Sequence, residues 1–280
     1  MRKVLPIFII IIISISFGFE YKTFELIGKV TSEQGIAITD TYVQIWDKGE
    51  VIAQTKTDNL GQYTLPLPKI GTFTVMAGNR NKYFHAISLK EYSFHIKAQF
   101  KENFFLEIDK QELQDETVRL RESYHLMIHN FKNSTHRRKF INRFPKSGTE
   151  LELFFSTDVK EKNLKKEAKR YISTLFQERF TGRTTYFLLF IRFAQKTDMR
   201  VAGKSTKKFY DEAVTIIKKY PKQLFDELST SKPERVSNFF KWMFSGGAFG
   251  KNKITKEFDF LQGKYKREYA IMLDEFDAYQ

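Results

Sequence analysis

The sequence predicts an α+β protein in two domains, a β-sandwich followed by a mainly α-helical domain, and three observations support that class. Apolar residues recur at every second position up to about residue 110 and at helical spacing beyond it. Turn residues punctuate the first part at short intervals, as all-β domains require. The charge also changes at the same place. Glu20 to Lys110 holds 11 Lys or Arg against 11 Asp or Glu, whereas Gln111 to Gln280 holds 34 against 22. Apart from Arg2 and Lys3, the whole positive surplus of this 280-residue chain therefore lies in its second part. The predicted organisation is a signal peptide over residues 1–18, the β-domain over 19–110 and a basic helical domain over 111–280.

The leader is read from Arg2 and Lys3, the isoleucine-rich run Val4 to Phe17, and small residues in Ser16-Phe17-Gly18 at cleavage spacing. The alternative is an uncleaved anchor, although the run is shorter than the ~20 residues a spanning helix needs. The chain has no cysteine. Disulfides and a lipid-modified cysteine are thereby excluded, and stability must come from packed cores.

In the first part, Phe24 to Thr31 reads as a strand, Ser32-Glu33-Gln34-Gly35 as a turn, and Tyr42 to Trp46 as the next strand. Val51 to Thr57 and Gln62 to Leu65 flank Asp58-Asn59-Leu60-Gly61, which predicts a hairpin. Asp58 can accept bonds from its own backbone, and Gly61 can take a positive φ. Pro66 and Pro68 place the end of that strand at a sheet edge. Thr72 to Ala77 and Phe104 to Ile108 complete six or seven short strands, the number and spacing of a β-sandwich.

These elements are similar to a known family. Gly28-Lys29-Val30-Thr31, Gly35, Tyr42-Val43-Gln44-Ile45, Thr57 to Tyr63 and Gly71 to Val75 together resemble the carboxypeptidase regulatory-like domain. This is a small prealbumin-like, Ig-like sandwich also similar to collagen-adhesin B-type repeats. The resemblance covers residues 23 to 110. It implies a secreted chain in which the sandwich is a docking or spacer module. Where family members commonly carry a Gly-Tyr pair, this chain has Asn79 to Phe84 instead.

Beyond Gln111, Leu164, Ala168, Tyr171, Ile172, Leu175 and Phe176 share one helical face. Phe209, Ala213, Ile216, Ile217 and Tyr220 repeat the pattern before Pro221, and Leu261, Tyr265, Tyr269, Met272 and Phe276 form a last stripe. Tyr186 to Ile191, apolar on all sides, predicts a buried central helix or strand. Residues 132 to 149, with Asn133, Ser134, Pro145, Ser147 and Gly148, read as a loop.

Few residues point to chemistry. Carboxypeptidases that carry such a β-domain bind zinc through His-x-x-Glu, and none of His85, His95, His125, His129 and His136 has a glutamate three residues on. Neither a Gly-x-Ser-x-Gly elbow nor a thiol nucleophile is present. His125 and His129 are spaced to share one helix face, with Glu122 a turn earlier; a metal there is weighed against two partly exposed structural histidines. Ser245 to Lys251 ends in Gly-Lys but lacks the first glycine of a phosphate loop, carries Asn252 where Ser or Thr should hold magnesium, and follows a helical pattern. It reads as a flexible connector. No catalytic residue, cofactor or metal is assigned.

Two readings of function follow. One is an exported, periplasmic or envelope-associated protein without catalytic activity, whose basic helical domain meets an envelope protein or an anionic surface such as lipid headgroups or acidic polysaccharide. Nucleic acid fits export poorly. The other is a hydrolase of unfamiliar type using Glu150, Glu152 and Asp158.

Overall fold

The computed structural model describes residues 24–67, 71–78, 83–84, 88–94, 99–156, 164, 166–177, 183–249 and 257–279. The leader, Asn79 to Lys82, His85, His95, Asp158 and the Lys251-Asn252 pair lie outside them. Within them a strand-rich region precedes a helical one, which is the α+β order the periodicity predicts. Among the described residues eight strands occur: β1 (Glu25–Ser32), β2 (Tyr42–Asp47), β3 (Glu50–Lys56), β4 (Gln62–Pro66), β5 (Gly71–Gly78), β6 (Ser88–Phe94), β7 (Gln99–Lys101) and β8 (Phe104–Leu106). They form two four-stranded sheets. In one, β4 and β7 flank β1, and β8 pairs with the far half of β1; the other runs β3-β2-β5-β6. Val43 and Ile45 of β2, Tyr63 and Leu65 of β4, and Phe73, Val75 and Ala77 of β5 are buried, so alternation along each strand fills the core. Pro66 ends β4, an edge strand, where a missing N–H breaks no ladder. β6 has no counterpart among the predicted strands. It is an edge strand with Lys90 and Glu91 at its centre, and edges carry charge that dilutes the apolar signal.

The turn at Asp58 forms as predicted, but the hairpin does not. Asp58 Oδ1 accepts from the N–H groups of Leu60 and Gln62, both at 2.8 Å, and Gly61 has φ +72°. Yet β3 pairs with β2 and β4 with β1, so this turn carries the chain from one sheet to the other. Thr57 supplies the reason. Its buried hydroxyl donates to Ile38 O at 2.7 Å and accepts from Thr41 N at 3.0 Å, drawing the backbone away from the β3 path before the turn begins.

The helices are α1 (Lys110–His129), α2 (Ser134–Arg143), α3 (Gly148–Ser156), α4 (Ala168–Leu175), α5 (Arg183–Ala194), α6 (Lys204–Lys219), α7 (Pro221–Ser229), α8 (Pro233–Ser245) and α9 (Lys266–Tyr279). Asp109 starts α1 by accepting from Glu112 N at 2.9 Å. Pro221 and Pro233 open α7 and α8, where the absent N–H has no helical partner to lose. Each stripe read from the sequence is buried, apart from the partly exposed Tyr220. Tyr186 to Ile191 falls in α5, with Leu188 facing solvent.

The loop predicted over residues 132 to 149 is corrected, because α2 occupies its middle. Asn133 and Ser134, read as loop residues, mark a helix start: Asn133 Oδ1 accepts from Thr135 N at 2.9 Å and His136 N at 3.3 Å. Phe140 is fully buried and anchors the helix. The connector read from Ser245 is irregular over Gly246 to Phe249, its described part beyond α8, but that part is packed against the fold. Ser245 ends α8, Phe249 is buried with Lys218 Nζ 4.8 Å from its ring centre, and the Tyr210 hydroxyl donates to Met243 O in α8.

The buried residues of the sheets and the helices belong to one continuous core. Tyr83 packs edge-on against Phe154 of α3 at 5.5 Å, and Thr149 Oγ1 donates to Ala37 O at 2.9 Å. Deeper among the helices, Tyr171 stacks on Tyr124 at 4.2 Å. Burial, with Glu167 beside it, pushes the Tyr171 hydroxyl up to about 12; burial and Asp259 push Tyr269 to about 12. Unfolding returns both to their ordinary value of 10.0, so the unfolded chain releases these protons first. Stability present below pH 10 is therefore expected to fall as pH rises toward 12. Tyr171→Phe should flatten that fall in denaturant titrations at successive pH values, and parallel curves for variant and parent would reject the assignment.

Candidate functional site

Two cavities open where the sheets meet the helices, one of about 710 Å³ and one of about 390 Å³. Thr149 and Lys196 line both, so the Thr149–Ala37 hydrogen bond stands between them. The larger is walled by groups of both signs, among them Lys56, Arg143, Lys146, Asp40, Glu116 and Glu150. Lys56 pairs with Asp40 at 3.3 Å, and that carboxylate holds the ammonium above its ordinary range. Burial, with Glu150, Glu116 and Glu112 adding to it, pushes the Tyr83 hydroxyl well above its ordinary range. Both shifts lead away from neutrality, the opposite of what a general acid or base needs.

The two described carboxylates of the hydrolase reading, Glu150 and Glu152, do different structural work. Glu150 Oε2 accepts from Lys146 N at 2.8 Å, while Glu150 N donates to Ser147 Oγ at 3.2 Å, so the pair organises the start of α3. Glu152 Oε1 accepts from Thr206 N at 2.9 Å and Thr206 Oγ1 at 2.8 Å, placing its charge at the positive end of α6. Each glutamate opens a different helix. Asp158 lies outside the described residues.

His125 and His129 fall in the last turns of α1 and are exposed, as is Glu122. Among the described residues no three His, Cys, Asp or Glu side chains come together as a metal site. No described helix is long and apolar enough to cross a membrane.

A different site emerges where α1 meets α2. From Ser123 to Thr149 there is no acidic residue, while Lys132, Arg137, Arg138, Lys139, Arg143 and Lys146 are basic and three of the five histidines fall in the same stretch. The end of α1, α2 and the link to α3 display this stretch. Tyr124 and Met127 turn inward, Tyr124 meeting Phe140 of α2 at 5.7 Å, so the neighbouring positions of α1 must face outward. Lys132, Arg138, Lys139, Arg143 and Lys146 are exposed, and Arg137 donates to Phe131 O at 2.8 Å. None of the six forms an ion pair with a described residue. Elsewhere in the helical region some cations are paired with acids, as in Arg119–Glu116, Lys208–Glu212 and Lys264–Asp226.

Within the same tip, Leu126 is 47% exposed, Phe131 40% and Ile128 38%. The acid-free run was visible in the sequence, but reading residues 132 to 149 as a loop hid the helix that presents it. No protein-family model matches this chain, and no curated protein is significantly similar to it.

Proposed function

We propose that this is an exported, non-catalytic protein of the cell envelope, in which a β-domain of the prealbumin-like, carboxypeptidase regulatory-like kind supports a basic helical domain that holds an anionic partner surface. The observation that carries this reading is the acid-free stretch from Ser123 to Thr149 about the α1–α2 turn, with six Lys or Arg and no ion pair to a described residue. Exposed cations without an ion pair, such as Lys132, Arg138 and Lys139, draw a partner of the other sign. The neutral strand-rich part suits a support. Its Gly28 to Thr31 segment lies in β1, Tyr42 to Ile45 in β2 and Gly71 to Val75 in β5.

The whole mature chain is used for the test, because one core joins sheets and helices. At 0.1 M salt the protein is expected to be retained on anionic vesicles or acidic polysaccharide, and to be released at 1 M as the Debye length falls from ~10 Å to ~3 Å. Replacing Lys132, Arg138 and Lys139 together by Gln should abolish retention at the lower salt without altering far-ultraviolet ellipticity, since all three are exposed. Retention that persists in this triple variant, or no retention of the parent protein, overturns the reading.

A further inference from the structure

We infer that the α1–α2 tip docks on a lipid bilayer carrying anionic headgroups, with Leu126, Ile128 and Phe131 entering the boundary between headgroups and acyl chains. The inference rests on the anionic-surface reading above and names the surface. Charge alone would not separate a bilayer from an acidic polymer, because both offer closely spaced anions. The apolar residues do separate them. Three large apolar side chains, each more than a third exposed, fall within six consecutive residues, 126 to 131. A hydrated polysaccharide offers nothing to cover them, whereas the acyl boundary of a bilayer does.

The other strongly exposed apolar residues lack this setting. Phe105 on β8 and Phe260 near the start of the last helical segment are 64% and 65% exposed, more than any residue of the tip, but each stands alone. Single exposed apolar residues are ordinary on protein surfaces. At the tip the apolar residues are instead followed in the chain by exposed Lys132, Arg138 and Lys139, and the nearest carboxylate before them in the chain is Glu122, one turn back along α1. Long cationic side chains can reach the phosphate level while apolar neighbours lie deeper. The arrangement is also braced from behind. Tyr124 and Met127 anchor the end of α1 in the core, Phe140 anchors α2, and the link between the helices spans only Asn130 to Asn133. The tip therefore presents its residues without having to fold first.

Because the chain has no cysteine, Leu126→Cys takes a single environment-sensitive fluorophore, and Phe105→Cys provides a matched control on the strand-rich region. The full mature protein is mixed with vesicles of equal parts phosphatidylcholine and phosphatidylglycerol, with pure phosphatidylcholine vesicles, and with soluble polygalacturonate. The label at 126 is expected to brighten and shift to the blue with the mixed vesicles alone, and the label at 105 with none. In sedimentation, Leu126→Ser combined with Ile128→Ser should weaken vesicle binding at least tenfold while leaving polygalacturonate retention and ellipticity unchanged. The Lys132, Arg138 and Lys139 triple variant should weaken vesicle binding roughly a hundredfold.

If the mixed vesicles sediment the protein while the label at 126 stays unchanged, the contact lies elsewhere and the inference fails, although the anionic-surface reading stands. An equal shift with polygalacturonate, or a double Ser variant that sediments like the parent, also overturns it. If the parent protein binds neither vesicles nor polygalacturonate, the broader reading fails and the inference with it.

Discussion

Replacing Phe209 by Ala is expected to lower the unfolding free energy by about 3–5 kcal/mol, the usual cost of emptying a large aromatic site in a core. Phe209 is fully buried on α6, with ring centres of Phe193 at 4.3 Å, Phe176 at 5.2 Å, Phe190 at 6.1 Å and Phe144 at 6.3 Å. Four helices contribute or abut those rings, so no single side-chain movement can fill the space, and the cavity term adds to the lost burial. Chemical denaturation followed by far-ultraviolet ellipticity measures it. A loss under about 1 kcal/mol would mean that the aromatic cluster is not packed around this residue.

The second large effect concerns Gly61. An added Cβ would lie 2.5 Å from Val30 O, in a backbone with φ +72°, so Gly61→Ala meets both conformational strain and a steric clash. Val30 O cannot retreat cheaply, because it accepts from Ile38 N at 3.0 Å, and Val30 N donates to Gly61 O at 2.8 Å. We expect a loss of roughly 2–3 kcal/mol. Gly35 is the control. Its φ is +76°, but nothing lies within 4 Å of an added Cβ, so Gly35→Ala should cost only about 1 kcal/mol. Trp46 fluorescence, with Trp242 replaced by Phe in every protein compared, reports the strand-rich region. Equal losses for the two glycine variants would show that backbone conformation alone, and not the approach of Val30, makes Gly61 necessary.

The periodic elements are legible in the sequence, because burial of one face leaves a repeat in it. The stripe from Phe209 to Ile217 became α6, and the alternation in Tyr42 to Ile45 became β2. The misreadings share a different cause. Asn133 and Ser134 are the same residue types whether they cap a helix or populate a loop, and only the bonds from Thr135 and His136 distinguish the two. Asp58 and Gly61 specify a turn but not which strands it joins. The candidate site was half legible: its charge was written in the run without acids, and its shape was not.

By itself the sequence determined the order of strands before helices, the positive balance of the second part, the absence of thiol chemistry, and the positive φ at Gly61. These depend on residue type and local spacing, which the chain carries wherever it folds. Tertiary structure alone decided that β3 and β4 enter different sheets and that Glu150 and Glu152 open separate helices. It also decided that Leu126, Ile128 and Phe131 remain outside while Tyr124 and Met127 turn inward. Each of those outcomes depends on partners distant in the chain: Ile38 for Thr57, Thr206 for Glu152 and Phe140 for Tyr124. Contacts of that kind are selected by how the whole core packs, and no local pattern encodes them.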